Sequence, residues 1–312
     1  MVALQLASLP LAILRGVNRS GLEYSLTGGP DAAEIAAIVR GWGANIIRLP
    51  FNQEWSLTRP DYLETLDFCI ETAAELGAYT LLDLHWLDAT TVRGHDNQGR
   101  ANFVPPLPNE ETEQMWSQLA RRYRDQPAVL YDIFNEPHDP LPDDPLGCGR
   151  VTMAEWQPWA VRLIDAIRSQ NPAARIFVSG VNWGYDLEGF PIPGVSGVVY
   201  STHVYRNKGE DWDRAFGKLT ADHPVFAAEW GGEDGDLAWG RKLAGYFMQR
   251  GIGWTAWCWK NRPHLIRKPP AAPYTPTVFG ELVRENLKMV SAEGIELAWT
   301  PKLRQLLTPE NH

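Results

Sequence analysis

The sequence predicts an α/β fold, a single (β/α)8 TIM barrel over residues 1–312 with long loops on its carboxyl-terminal rim. Short β-branched or apolar runs alternate with longer helical patterns along the whole chain, as in a parallel sheet wound with helices. Eight runs read as strands. Two of them, far apart, lead into a glutamate: Ala128-Val129-Leu130-Tyr131-Asp132-Ile133-Phe134 runs into Asn135-Glu136-Pro137, and Val225-Phe226-Ala227-Ala228 runs into Glu229. In a parallel barrel both ends reach one rim, where a paired acid and nucleophile can flank a sugar–sugar bond. A chain of 312 residues, 44% apolar, can bury a large core and fits one barrel at least as well as two domains.

In order, the strands are Ala12 to Val17, Ala44 to Leu49, Tyr79 to Leu84, Val129 to Phe134, Arg175 to Ser179, Val198 to Thr202, Val225 to Ala228 and Ile252 to Trp257. The first helix has Pro30 and Asp31 at its start and Gly41 at its end, the usual start and stop signals. Asp61 to Leu76, Glu110 to Asp125, Ala154 to Gln170, Asp211 to Ala221, Leu237 to Arg250 and Thr277 to Met289 read as further helices. The fifth crossover, Asn182 to Gly194, is rich in Gly and Pro and supports no full helix. Trp86 to Pro108 and His138 to Met153 are longer than a connection requires, and such loops tend to be functional. With Lys260 to Pro276 they would wall a cleft. The tail from Ser291 to His312 is expected to pack on the outside of the barrel.

The net charge of −9 is spread along the chain with no Lys/Arg run, which argues against nucleic acid and suits a neutral substrate. Cys69, Cys148 and Cys258 lie far apart with no CxxC spacing, so neither a zinc site nor a disulfide framework is read from them. No segment approaches the roughly 18 apolar residues of a membrane span. Met1 to Leu14 lacks a basic leading region and a cleavage signature, so the chain is expected to begin at its first strand. The 14 tryptophans exceed what a core needs. Trp116 and Trp239 lie in helical stretches and suit packing. Trp86, Trp183, Trp230, Trp257 and Trp259 stand at or just past strand ends, where indole faces can stack on the flat C–H faces of pyranose rings.

The remaining strand ends are as polar. Strand two gives Asn45-Ile46-Ile47-Arg48-Leu49-Pro50, strand three Asp83-Leu84-His85-Trp86, strand six His203-Val204-Tyr205, strand seven Glu229-Trp230-Gly231-Gly232 and strand eight Trp257-Cys258-Trp259. Together with Gly16-Val17-Asn18-Arg19-Ser20-Gly21, this ordered set resembles glycoside hydrolase family 5, retaining (β/α)8-barrel enzymes typified by cellulases. The likeness runs from Gly16 to the strand-eight tryptophans.

The resemblance implies that Glu136 is the general acid/base, which needs an elevated pKa, and that Glu229 is the nucleophile. Arg48 and the Tyr205 hydroxyl would favour the charged form of Glu229. Asn135 would bond the sugar 2-hydroxyl, while His85 and His203 would hold hydroxyls and carboxylates. By similarity to the family, Trp257 rather than Trp259 forms the floor under the sugar at the point of cleavage. The histidines stand in neither an HxH nor an HExxH pattern, so no metal and no cofactor is expected. His95 to Gly99 faintly resembles a calcium loop but lacks its spacing and closing glutamate, so it reads as a polar turn. Asp88 and Asp139 flank the cleft as exposed loop residues.

The expected activity is a retaining endo-β-1,4-glucanase, a cellulase acting on β-1,4-glucan or mixed-linkage β-glucan, with β-mannanase as the alternative. A sugar-binding barrel without catalysis would lack a carboxylate, and both are present. The expected partner is a β-glucan polysaccharide or oligosaccharide; the chain is expected to be a monomer, and secreted, because such a polymer cannot cross a membrane.

Overall fold

The structure, a computed structural model, describes residues 13–88, 105–138, 151–268 and 270–292. The eight strands are β1 (Arg15–Asn18), β2 (Ile46–Asn52), β3 (Tyr79–Trp86), β4 (Val129–Asp132), β5 (Ile176–Ser179), β6 (Val198–Val204), β7 (Val225–Trp230) and β8 (Gly253–Ala256). They form a closed parallel barrel in chain order, sealed by β1 beside β8 with Gly16 opposite Thr255. The fold is the expected one, with strand ends displaced by a few residues.

Every strand residue of β1, β2 and β4 to β8 is buried, which is why these strands read as apolar runs rather than alternating ones. Alternation instead divides two cores. Leu14, Ile46, Leu81, Leu130, Phe177, Val199 and Phe226 pack together inside the barrel. Ile47, Leu82, Tyr131, Val178 and Tyr200 face the helices. Two residues beyond the inner apolar layer, the same inward rows carry Arg48, Asp83, Asp132, Ser179 and Ser201, all fully buried. The lumen therefore changes from apolar to polar toward the carboxyl ends.

The helices are α1 (Ala32–Ala36), α2 (Gln53–Thr58), α3 (Pro60–Glu75), α4 (Glu110–Arg122), α5 (Met153–Gln170), α6 (Trp212–Ala215), α7 (Leu237–Arg250) and α8 (Val278–Ala292). Asp31 caps α1 by accepting from the Glu34 amide, and the helix runs on through a π turn to Gly41. Helix α7 stops at Gly251, whose φ of 67° is left-handed. Two expectations change. The continuous helix expected over Asp211 to Ala221 breaks at Phe216 into α6 and a 3-10 turn, and α2, capped by Asn52, was not anticipated. The fifth crossover carries no helix, as expected; it is held by the bridges Gly180 to Gly184 and Val181 to Asp186.

Cys69 and Cys258 are buried free thiols. Most of the two long loops, with His95 to Gly99, Asp139 and Cys148, and the tail after Ala292 lie outside the described residues. Among the described residues, no helix is long and apolar enough to cross a membrane.

Candidate active site

Arg48 is the hub of the polar layer. Its Nε donates to Asp132 Oδ2 at 2.9 Å, Nη1 to Asn18 Oδ1 at 2.9 Å and to Glu229 Oε1 at 2.7 Å, and Nη2 to Asn135 Oδ1 at 2.8 Å. Nη2 also pairs with Asp83 at 2.9 Å. A buried guanidinium is tolerable only with such partners, since a fixed charge without them costs several kcal/mol. His85 Nδ1 meets Asp83 Oδ2 at 2.6 Å. Burial opposes the imidazolium, but Asp83 outweighs it and lifts His85 to about 9. Arg48 and His85 thus place two positive charges against Asp83 and the Glu229 carboxylate. Burial pushes Asp132 up to about 7, with Arg48 pulling against it.

Glu229 would face the helix layer if β7 alternated strictly, because Ala228 before it packs in the inner core. A β-bulge intervenes. Thr202 is opposite Ala227, and the next pair is His203 with Glu229, so Ala228 is the extra residue. Bulges re-aim side chains in this way beside active sites. Glu229 then receives Arg48 on one oxygen and the Tyr205 hydroxyl, at 2.6 Å, on the other.

Glu136 follows β4, and His203 Nδ1 lies 2.8 Å from its Oε1. Burial raises its carboxyl above the usual range, against the charges of His85, His138, Arg48 and Lys208. Burial also holds His203 down to about 4, so at neutral pH it is an uncharged partner. Donor atoms of Glu136, His203 and Glu229 all lie within 4.8 Å of one another. That spacing would also suit a metal ion, but the guanidinium 2.7 Å from Glu229 sets a permanent positive charge where a dication would sit.

The tryptophans divide. Trp257 is half-buried and lies parallel to His85, ring centres 5.4 Å apart and planes at 11°. Trp86 is half-buried beside His85 and Tyr24. Trp183 stacks on His138 at 3.9 Å and lines, with Glu136, Tyr205, Asn207 and Lys208, a hollow of ≈ 470 Å³. Trp230 and Trp259 do not join them. Trp230 follows inward-facing Glu229 and so points outward, fully buried against Phe247, Trp254 and Phe279. Trp259 is fully buried against Trp42 and Tyr274; residues two apart share a face only within a strand, and β8 ends at Ala256, before either Trp257 or Trp259. Neither can touch a sugar.

Asn18, Asp83 and Asp132 belong to the site's charge network and were not singled out from the sequence. The signal was present: an aspartate inside an otherwise apolar strand run needs a buried cation, and Arg48 supplies it. His138, which bonds the Glu136 carbonyl at 2.7 Å, had no comparable signal.

A family model described as Cellulase (glycosyl hydrolase family 5) matches residues 13–263. An endoglucanase of Paenibacillus polymyxa is 27% identical over 307 residues, 79% of this chain and 75% of that protein. Endoglucanase E-5 of Thermobifida fusca is 26% identical, covering 78% of this chain and 51% of its own length, so this chain spans about half of that relative. Among solved structures, a β-glucanase from Saccharophagus degradans superposes with a TM-score of 0.71 at 25% identity, covering 88% of each chain.

Proposed function

The chain belongs to glycosyl hydrolase family 5, and from that membership we propose that it is a retaining endo-β-1,4-glucanase acting on β-1,4-glucan or mixed-linkage β-glucan. The observation that carries the mechanism is the approach of Glu136 and Glu229, one oxygen of each lying within 4.8 Å of the other, too close for a water to be held between them for inversion. Retaining enzymes hold their carboxyl groups about 5–5.5 Å apart, whereas inverting enzymes leave roughly 6.5–9.5 Å for water.

In the first step Glu229 Oε attacks the anomeric carbon and the bond to the leaving oxygen breaks, that oxygen taking the proton of Glu136. Arg48 and Tyr205 hold the nucleophile in place through one hydrogen bond on each oxygen. In the second step Glu136, now a carboxylate, removes a proton from water as the water attacks the same carbon and releases Glu229. Burial suits Glu136 to the acid role, because it favours the protonated form that the first step consumes. Trp257, beside His85, offers a flat floor for the reacting sugar, and Trp183 a second face across the acid.

Cellotetraose hydrolysis followed by proton NMR tests the stereochemistry: the β-anomer should accumulate first, and first appearance of the α-anomer would overturn double displacement. Reducing-sugar release should be fastest on carboxymethyl cellulose, barley β-glucan or lichenan; mannan as the only productive polymer would replace the glucanase assignment with a mannanase. We further propose that the protein acts outside the cell, since its polymer cannot cross a membrane, and as a monomer. Cell fractionation and light scattering check these two statements.

A further inference from the structure

The hollow beside Glu136 contains Lys208, a residue the two-step reaction does not use. Its ammonium donates to the Asn182 carbonyl at 2.9 Å and to Asn182 Oδ1 at 2.9 Å. Asn182 begins an unusual turn: Asn182, Trp183 and Gly184 have φ values of 56°, 60° and 70°, all left-handed. Two such non-glycine residues in succession persist only where surrounding contacts hold them, and they concentrate at functional sites. The contacts here run to the acid. The Trp183 amide donates to the Pro137 carbonyl at 3.1 Å, the His203 amide to the Gly184 carbonyl at 3.0 Å, and the Trp183 ring stacks on His138, which bonds the Glu136 carbonyl. Glu136 lines the hollow and Glu229 does not, so the hollow opens beside the carboxyl that, in the proposed reaction, gives its proton to the departing sugar.

We propose that Lys208 is a positioning residue for the acid step: clamped to Asn182, it fixes the left-handed turn that presents Trp183 to the departing sugar and sets a positive charge beside Glu136. Other charged and titratable groups face Glu136, namely His85, His138 and Arg48, with His203, Tyr205 and Glu229 adjoining. Of these groups Lys208 is the one whose own charged atom bonds the first residue of the turn, Asn182. Removing its charge should therefore raise the titration of Glu136, and losing its grip on Asn182 should loosen the leaving-group side.

This assignment deepens the glucanase reading and rests on it. The test compares wild type with Lys208→Met and Lys208→Arg on cellotetraose and on 2,4-dinitrophenyl β-cellobioside, whose phenolate departs without a proton. The Met variant should lose about tenfold more kcat/KM on cellotetraose than on the aryl glycoside. The alkaline limb of its pH profile should move up by about half a unit, and Arg should restore most of the loss. Equal losses on both substrates, no loss, or an unmoved alkaline limb overturns the proposal. A substrate-free measurement separates it from the glucanase reading: infrared titration of the Glu136 carboxyl, identified by subtracting Glu136→Gln, should shift upward in Lys208→Met. Wild-type inactivity on both substrates with that shift present would sink the glucanase reading and retain the electrostatic role; no shift sinks the Lys208 assignment whatever the activity.

Discussion

The Tyr205 hydroxyl donates a 2.6 Å hydrogen bond to Glu229 Oε2, the oxygen that Arg48 leaves open. The loop after β6 and the strand β2 thus share Glu229, the proposed nucleophile, one oxygen each. A hydrogen bond to a charged group contributes about 1.5–3 kcal/mol. Tyr205→Phe should therefore lower kcat on β-glucan roughly 10- to 150-fold with the fold intact, measured as initial rates beside a circular dichroism melt; an unchanged kcat would show that Arg48 alone suffices.

Glu136→Gln keeps the volume and removes the proton. General acid–base catalysis contributes about 10²- to 10⁴-fold, so kcat on barley β-glucan should fall by that factor. Formation of the glycosyl-enzyme from 2,4-dinitrophenyl β-cellobioside should suffer far less, visible as a retained burst of dinitrophenolate. Loss of the burst would mean that Glu136 is needed for something other than proton donation.

His85 gives the fold a pH dependence of known sign. Burial opposes its charge, Asp83 overcomes it, and the folded value of about 9 stands above the ordinary 6.5. The stabilisation is fully present below about 6.5 and disappears as pH rises through about 9, up to about 3 kcal/mol in all. Melting temperatures of wild type and His85→Asn should therefore converge between those two pH values. A constant gap would refute the charged pair.

Gly184 has φ +70°, and a Cβ there would lie 2.8 Å from Cγ and Nδ1 of His203. Gly184→Ala adds left-handed strain and overpacking, together roughly 2–4 kcal/mol. It also pushes the imidazole that meets Glu136. Both the melting temperature and kcat should drop; an alanine variant with wild-type values would mean that the turn relaxes freely.

Much of this was legible in the chain. Each barrel strand is a short apolar run, and buried parallel strands have no other signature, so all eight were found. Glu136, Glu229, Arg48, His85, His203 and Tyr205 converge because strand ends of a parallel barrel share one rim. The bulge at Ala228 was not legible, since nothing in Val225-Phe226-Ala227-Ala228-Glu229 announces an extra residue. Without it the faces of Glu229 and Trp230 cannot be assigned from alternation, and Trp230 was placed in the cleft. Trp259 leaves the cleft for a related reason: β8 ends at Ala256, three residues before it, so nothing in the strand aims its ring at the rim. The break at Phe216 and the short helix α2 are local events decided by packing against the barrel, where propensity carries little weight.

One guanidinium joins β1, β2, β3, β4 and β7, through Asn18, Asp83, Asp132 and Glu229, and the residue that ties these staves also grips one oxygen of the proposed nucleophile. Cohesion and turnover are thereby vested in a single side chain. Selection cannot retune one without disturbing the other, so any heat-hardened descendant of this barrel should carry its gains in the outer helices and connecting segments and leave the hub at Arg48 untouched.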